Sequence, residues 1–218
     1  MSGTPRRKLA ALVFLICTAT AANAEAGEFS PSVGDICRAE TEAAETENRL
    51  PKLILGAISL AESGRWHRGE RESYPWPWTV TSGGSSHYFK DKLSAIDAVR
   101  RLQGQGVRNI DVGCMQINLY YHADAFADLE EAFDPTANVA YAAHFLKQLF
   151  KETRSWNATI GRYHSATPER AAGYLERVSG LWHRERVRVA TARREAVIAA
   201  YHERQAALRE AREARSGS

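Results

Sequence analysis

Apolar residues recur at helical spacing over most of the chain. From Asp35 the positions Ile36, Ala39, Ala43 and Ala44 predict a first helix and place the start of the folded domain there. A second helix is expected from Pro51, whose fixed φ suits a first helical turn, to the stop at Ser63-Gly64. Its residues Leu53, Ile54, Leu55, Ala57, Ile58, Leu60 and Ala61 cover nearly every face, so it belongs in the centre of a core. The pattern then changes. Between Tyr74 and Phe89 two short strand-like runs flank Ser82-Gly83-Gly84-Ser85, which reads as a small hairpin. Ser94 is expected to cap an amphipathic helix through Ile96, Val99 and Leu102 that ends at Gly104 and Gly106. A loop leads to Gly113, and two more helices are predicted around Asn138 to Glu152 and Trp156 to Tyr163. From Pro168 the chain reads as helix almost to its end. Beyond His183 it is an Ala, Arg and Glu tract in which Val187, Val189, Val197, Ile198, Tyr201 and Leu208 are scattered, which places this tail outside the core.

The ends and the cysteines refine this organisation. Arg6, Arg7 and Lys8 precede an apolar stretch from Leu9 to Ala19, and Ala22-Asn23-Ala24 offers small residues for cleavage, so 1–24 reads as a signal peptide. The stretch is short of the roughly 20 residues that span a bilayer, and Ile16 before Cys17 argues against lipidation. A soluble mature protein is expected from Glu25, with a flexible leader over 25–34, one globular domain over 35–182 and a charged helical tail over 183–218. Removing the signal peptide leaves Cys37 and Cys114 in a chain bound for an oxidising compartment, which predicts a disulfide. The net charge of +3 is small and spread along the chain; it gives no reason to expect nucleic acid, although a weakly basic surface suits an anionic polymer.

Glu62 is the first candidate for chemistry. A carboxyl group at the end of the most apolar helix loses solvation, which favours its neutral form and suits a general acid. Met115 has a flexible apolar side chain able to pack beneath a sugar ring or within a core, and Gln116 can both donate and accept. Trp76 and Trp78 stand among prolines in a polar segment and read as a wall for a sugar, the alternative being a cover of the hairpin against the core. Asp111 is the best candidate for a second carboxylate, although its setting between Ile110 and Val112 fits a structural loop equally well. His122, His144, His164 and His183 are scattered without metal-ligand spacing, so neither a metal nor a cofactor is expected.

Three separated motifs, Glu62-Ser63-Gly64, Gly113-Cys114-Met115-Gln116-Ile117-Asn118 and Gly161-Arg162-Tyr163-His164-Ser165, together resemble the SLT-type lytic transglycosylases, relatives of goose-type lysozyme. The likeness runs from about Cys37 to Trp182, with His164-Ser165 where the family usually has Asn after the Tyr. It implies a mainly α, lysozyme-like domain with a small β-hairpin and a C-terminal helical tail. It further implies that Glu62 is the single catalytic carboxyl group, that Ser63, Trp76, Trp78, Met115, Gln116, Asn118 and Tyr163 meet the substrate, and that peptidoglycan strands are cleaved in the periplasm to 1,6-anhydro ends. Tyr163 is expected beside Glu62, within hydrogen-bonding reach. The Pro75-Trp76-Pro77-Trp78-Thr79 segment resembles an alphaproteobacterial subgroup, some members of which serve flagella or secretion machinery, and this makes the tail a candidate docking site for such a component.

Overall fold

The computed structural model describes residues 33–68 and 71–216. The expected signal peptide and residues 25–32 of the expected leader lie outside them. Two helices open the described chain, α1 (Val33–Asn48) and α2 (Ile54–Ser63). Helix α1 begins two residues before the expected domain start. Helix α2 begins three residues later than Pro51, because Leu53 takes a left-handed conformation with φ 67° and acts as the N-cap without a capping side chain. The cap comes from outside the helix: the Glu45 carboxylate on α1 accepts from the backbone N–H groups of Leu53 at 2.6 Å, Leu55 at 2.8 Å and Gly56 at 3.2 Å. Otherwise unbonded N–H groups of a first helical turn are thereby satisfied in a buried place.

A two-stranded antiparallel ribbon follows, β1 (Gly64–His67) with β2 (Glu72–Pro75), which the residue pattern did not announce. The expected hairpin is present as β3 (Thr79–Ser82) and β4 (Ser85–Tyr88), with Gly83 and Gly84 both at positive φ in its turn. It belongs to a larger antiparallel sheet of order β4-β3-β5-β6, completed by β5 (Ile110–Val112) and β6 (Ile117–Asn118). Between β4 and β5 lies α3 (Lys92–Gly104). Its cap is Asp91, whose carboxylate accepts from the Ser94 N–H at 2.7 Å, so Ser94 sits inside the first turn and is not the cap expected of it.

The remaining elements are α4 (Leu129–Ala132), α5 (Pro135–Thr153), α6 (Trp156–His164) and α7 (Pro168–Ser216). Asp134 caps α5, with Pro135 in the first turn, where its missing N–H costs nothing. Two apolar cores result. One gathers α1, α2, α5, α6 and the start of α7 around Ile54, Leu55, Ile58, Leu146, Ile160 and Val178. The other packs the larger sheet on α3 and α4 through Val80, Ile96, Val99, Ile110, Val112 and Phe133. The fold is mainly α and lysozyme-like, and Cys37 of α1 is bonded to Cys114 between β5 and β6, joining the helical core to the end of the sheet.

Candidate active site

Helix α2 is buried along nearly its whole length and ends at Ser63, so Glu62 is carried to the rim of the helical core, facing the sheet. Gly64 then turns the chain directly into β1; a Cβ there would fall 2.3 Å from the Leu60 carbonyl oxygen, an approach open only to glycine. The result is a groove of about 890 Å³ with Glu62 and Gly64 between two walls. One wall is the larger sheet and its turns, through Thr81, Ser86, Tyr88, Asp111, Gln116 and Asn118. The other is helical, through Phe145 of α5, Tyr163 and His164 of α6, and Arg177 of α7.

Burial pushes the Glu62 carboxyl up to about 7, and three neighbours modulate it. The Tyr174 hydroxyl donates to Glu62 Oε1 at 2.6 Å and the Arg177 guanidinium lies close by, both favouring the carboxylate, while Asp111 disfavours it. Loss of solvation prevails. The group is poised near neutrality, where it can give up a proton and take one back. Tyr174 is itself fixed: His164 stacks on its ring at 4.7 Å with the planes 7° apart, and burial beside Glu62 holds its hydroxyl well above the usual phenol range, so it remains a donor. Arg177 also donates to the Ala61 carbonyl, tying α7 to the last turn of α2.

The Gly113 to Asn118 segment forms the sheet wall through a dense set of bonds. Gly113 has φ 83°, and a Cβ on it would fall 2.5 Å from the Asn138 amide. That amide donates to the carbonyls of Val112 and Ala132 and accepts from the Met115 N–H. Gln116 takes a left-handed conformation with φ 47°. Its side chain donates to the carbonyls of Thr79 and Gly113 and accepts from the Thr81 hydroxyl, so it braces the groove wall. Asn118 donates to Asp111 at 2.8 Å and accepts from the N–H groups of Tyr120 and Tyr121. Burial raises the Asp111 carboxyl, against the opposing pull of Asn118 and of the nearby His164 and His122. Among the described residues no three His, Cys, Asp or Glu side chains gather where they would hold a metal.

Of the residues expected to meet substrate, Gln116, Asn118 and Tyr163 line the groove with Glu62. Ser63 and Met115 do not. Both are fully buried, Ser63 donating to the carbonyls of Ser59 and Cys114, and Met115 packed in the helical core. The two tryptophans stand elsewhere: Trp78 packs against the sheet core, and Trp76 lines a separate cleft with its indole N–H donating to the Phe89 carbonyl. Tyr163 donates to the Met115 carbonyl at 3.0 Å, so the hydroxyl bonded to Glu62 is that of Tyr174, not of Tyr163. Sequence reasoning missed Tyr174 and Arg177. Their signal was the spacing Tyr174, Arg177, Val178, which sets three residues on one face of α7 before the solvated tail begins.

Comparison with known families adds one match. Residues 90–217 fit the family model of the transglycosylase SLT domain. No curated protein and no solved structure matches the chain. The matched segment contains the Gly113 to Asn118 wall, Tyr163, Tyr174 and Arg177, while Glu62 precedes it and is tied to it by the Tyr174 and Arg177 bonds. More than half of the chain, including one whole wall of the groove and the residue bonded to its buried carboxyl group, is of this kind, and the chain belongs to the transglycosylase SLT domain family.

Proposed function

We propose that this chain is an exported lytic transglycosylase that cleaves the β-1,4 bond between N-acetylmuramic acid and N-acetylglucosamine in peptidoglycan, with Glu62 as acid and then base. The observation that carries this reading is the Glu62 carboxyl group, raised to about 7 in a groove of about 890 Å³. Neutral Glu62 gives its proton to the bridging oxygen as the bond to the anomeric carbon breaks, and the muramyl acetamido group stabilises the cation. Glu62, now a carboxylate facing the Tyr174 hydroxyl, takes the proton of the sugar's own 6-hydroxyl. That oxygen closes on the anomeric carbon, leaving a 1,6-anhydro end with no water consumed. Cleavage of the signal peptide over 1–24 delivers the domain to the periplasm. There the tail from 183 on, with Val197, Ile198 and Tyr201 exposed, is the surface assigned to a protein of the assembly it serves.

A second reading rests on Asp111, which lines the same groove and raises the Glu62 carboxyl by its charge. With Asp111 as the base that activates water, the same groove would be a muramidase. Digestion of purified sacculi followed by mass spectrometry separates the two, since the hydrolytic product is heavier by one water. The expected outcome is anhydro ends, with Glu62→Gln reducing the rate by about a hundredfold or more, the range of a lost general acid. Turnover by Glu62→Gln at the wild-type rate would refute the assignment of the acid, and reducing ends would shift it to the hydrolase.

A further inference from the structure

Beside the groove, over the β1–β2 ribbon, lies a second cleft of about 570 Å³. Its chemistry is cationic and aromatic. The Arg65 guanidinium sits 4.5 Å from the centroid of the Trp76 ring and 5.8 Å from that of Tyr88, so two rings hold its planar fork in place. Trp66 and Arg68 stand exposed alongside, Trp66 at 59%. Neither Arg65 nor Arg68 pairs with a carboxylate among the described residues, since Glu72 is engaged by Arg38 and Arg188. Val33 and Gly34 of α1 also line the cleft.

The cleft and the groove meet where Arg65 of the one lies against Tyr88 of the other. Tyr88 lines the groove and donates from its hydroxyl to the Gly64 carbonyl at 3.0 Å, while its ring lies against Arg65, the next residue along. The groove that holds Glu62 therefore opens beside a pre-organised guanidinium backed by aromatic rings.

We propose that this cleft binds the carboxylates of the peptide stem borne by a muramic acid seated in the Glu62 groove, with Arg65 as the specificity-determining residue. The proposal rests on the reading of peptidoglycan as substrate. Where a stem is attached, the lactyl carboxyl of muramic acid is tied up as an amide and the free carboxylates stand on the stem, where a fixed guanidinium fork meets them with paired hydrogen bonds. Trp76, expected from the sequence to wall a sugar site, becomes the plate behind Arg65.

The test compares wild type, Arg65→Ala and Arg65→Lys on stem-bearing strands and on strands stripped of stems by an amidase, with the lactyl carboxylates so freed converted to methylamides. For Arg65→Ala, kcat/KM on stem-bearing strands is expected to fall about tenfold, the loss of one charge-assisted hydrogen bond, and to stay unchanged on stripped strands. Lys should restore part of the loss. An equal loss on both substrates, or no loss on either, overturns the proposal. Should Arg65→Ala fail to fold, Arg68→Ala and Trp66→Ala, both at exposed positions, give the same comparison. Titration of a synthetic stem tetrapeptide, followed by tryptophan fluorescence, tests the cleft without catalysis. Binding by wild type that Arg65→Ala loses supports the cleft even if no glycan is cut, and absence of peptide binding overturns it even if glycan is cut.

Discussion

At the scale of single residues, Glu62 is a group whose neutral form the fold prefers, and that preference has a sign in pH. Its carboxyl is raised from 4.5 to about 7, so between those values the folded chain holds a proton that the unfolded chain has released. The stability contributed by the neutral acid is complete below 4.5 and is lost as pH rises to about 7. Glu62→Gln keeps the shape without the charge. Denaturant titrations at several pH values are therefore expected to show the variant gaining on wild type across this window, by at most about 3 kcal/mol, and level above it. A difference independent of pH would contradict the buried-acid account. On the proposed function the same group sets the alkaline limb of activity, which should fall as pH rises through about 7. Glu62 itself was legible in the sequence because a carboxyl group at the end of so apolar a helix must lose water. Tyr174 was not, since it lies 112 residues away and only the packing of α7 on α2 brings the two together.

At the scale of elements, helices α2 and α3 show what local pattern can and cannot predict. Their existence followed from apolar spacing, but their starts did not. The N-terminus of α2 is satisfied by a carboxylate eight to eleven residues back on another helix, which no rule based on adjacent residues detects. Burial raises this Glu45 carboxyl, and the Leu53, Gly56 and Leu55 N–H groups oppose that rise. Glu45→Ala would leave those donors buried and unpaired, and a loss of about 3 kcal/mol is expected, with Gln, which keeps one acceptor oxygen, losing less. Chemical denaturation of the three proteins checks this order. The β1–β2 ribbon escaped notice for a different reason. Residues such as Arg65, Trp66 and His67 show no alternation of apolar and polar positions, because both faces of the strand are largely exposed.

For the molecule as a whole, the Cys37–Cys114 bond, both ends of which lie in the helical core, ties α1 to the segment between β5 and β6. It closes a separation of 77 residues, fully buried, and the Cys114 carbonyl also accepts the hydroxyls of Ser59 and Ser63 on the helix of Glu62. The acid and the opposite wall are thus positioned from one point. Constraint of so long a loop is worth about 4 kcal/mol, so the Cys37→Ala/Cys114→Ala protein should melt roughly 10 °C lower. Calorimetry on both proteins measures this, and an unchanged midpoint would refute it. The pairing was expected from the compartment and from the count of cysteines, whereas its role in aligning the groove required the fold.

Helix α7 starts within the groove and does not stop there. Tyr174 and Arg177 lie in its first turns, yet the element runs for 49 residues, a contour of about 73 Å at 1.5 Å per residue. The arm that helps set the acid is thus also a ruler. On the proposed reading, fixing its far end to any immobile object would confine bond cleavage to a shell about 60 Å from that point, the rise from Tyr174 to Ser216.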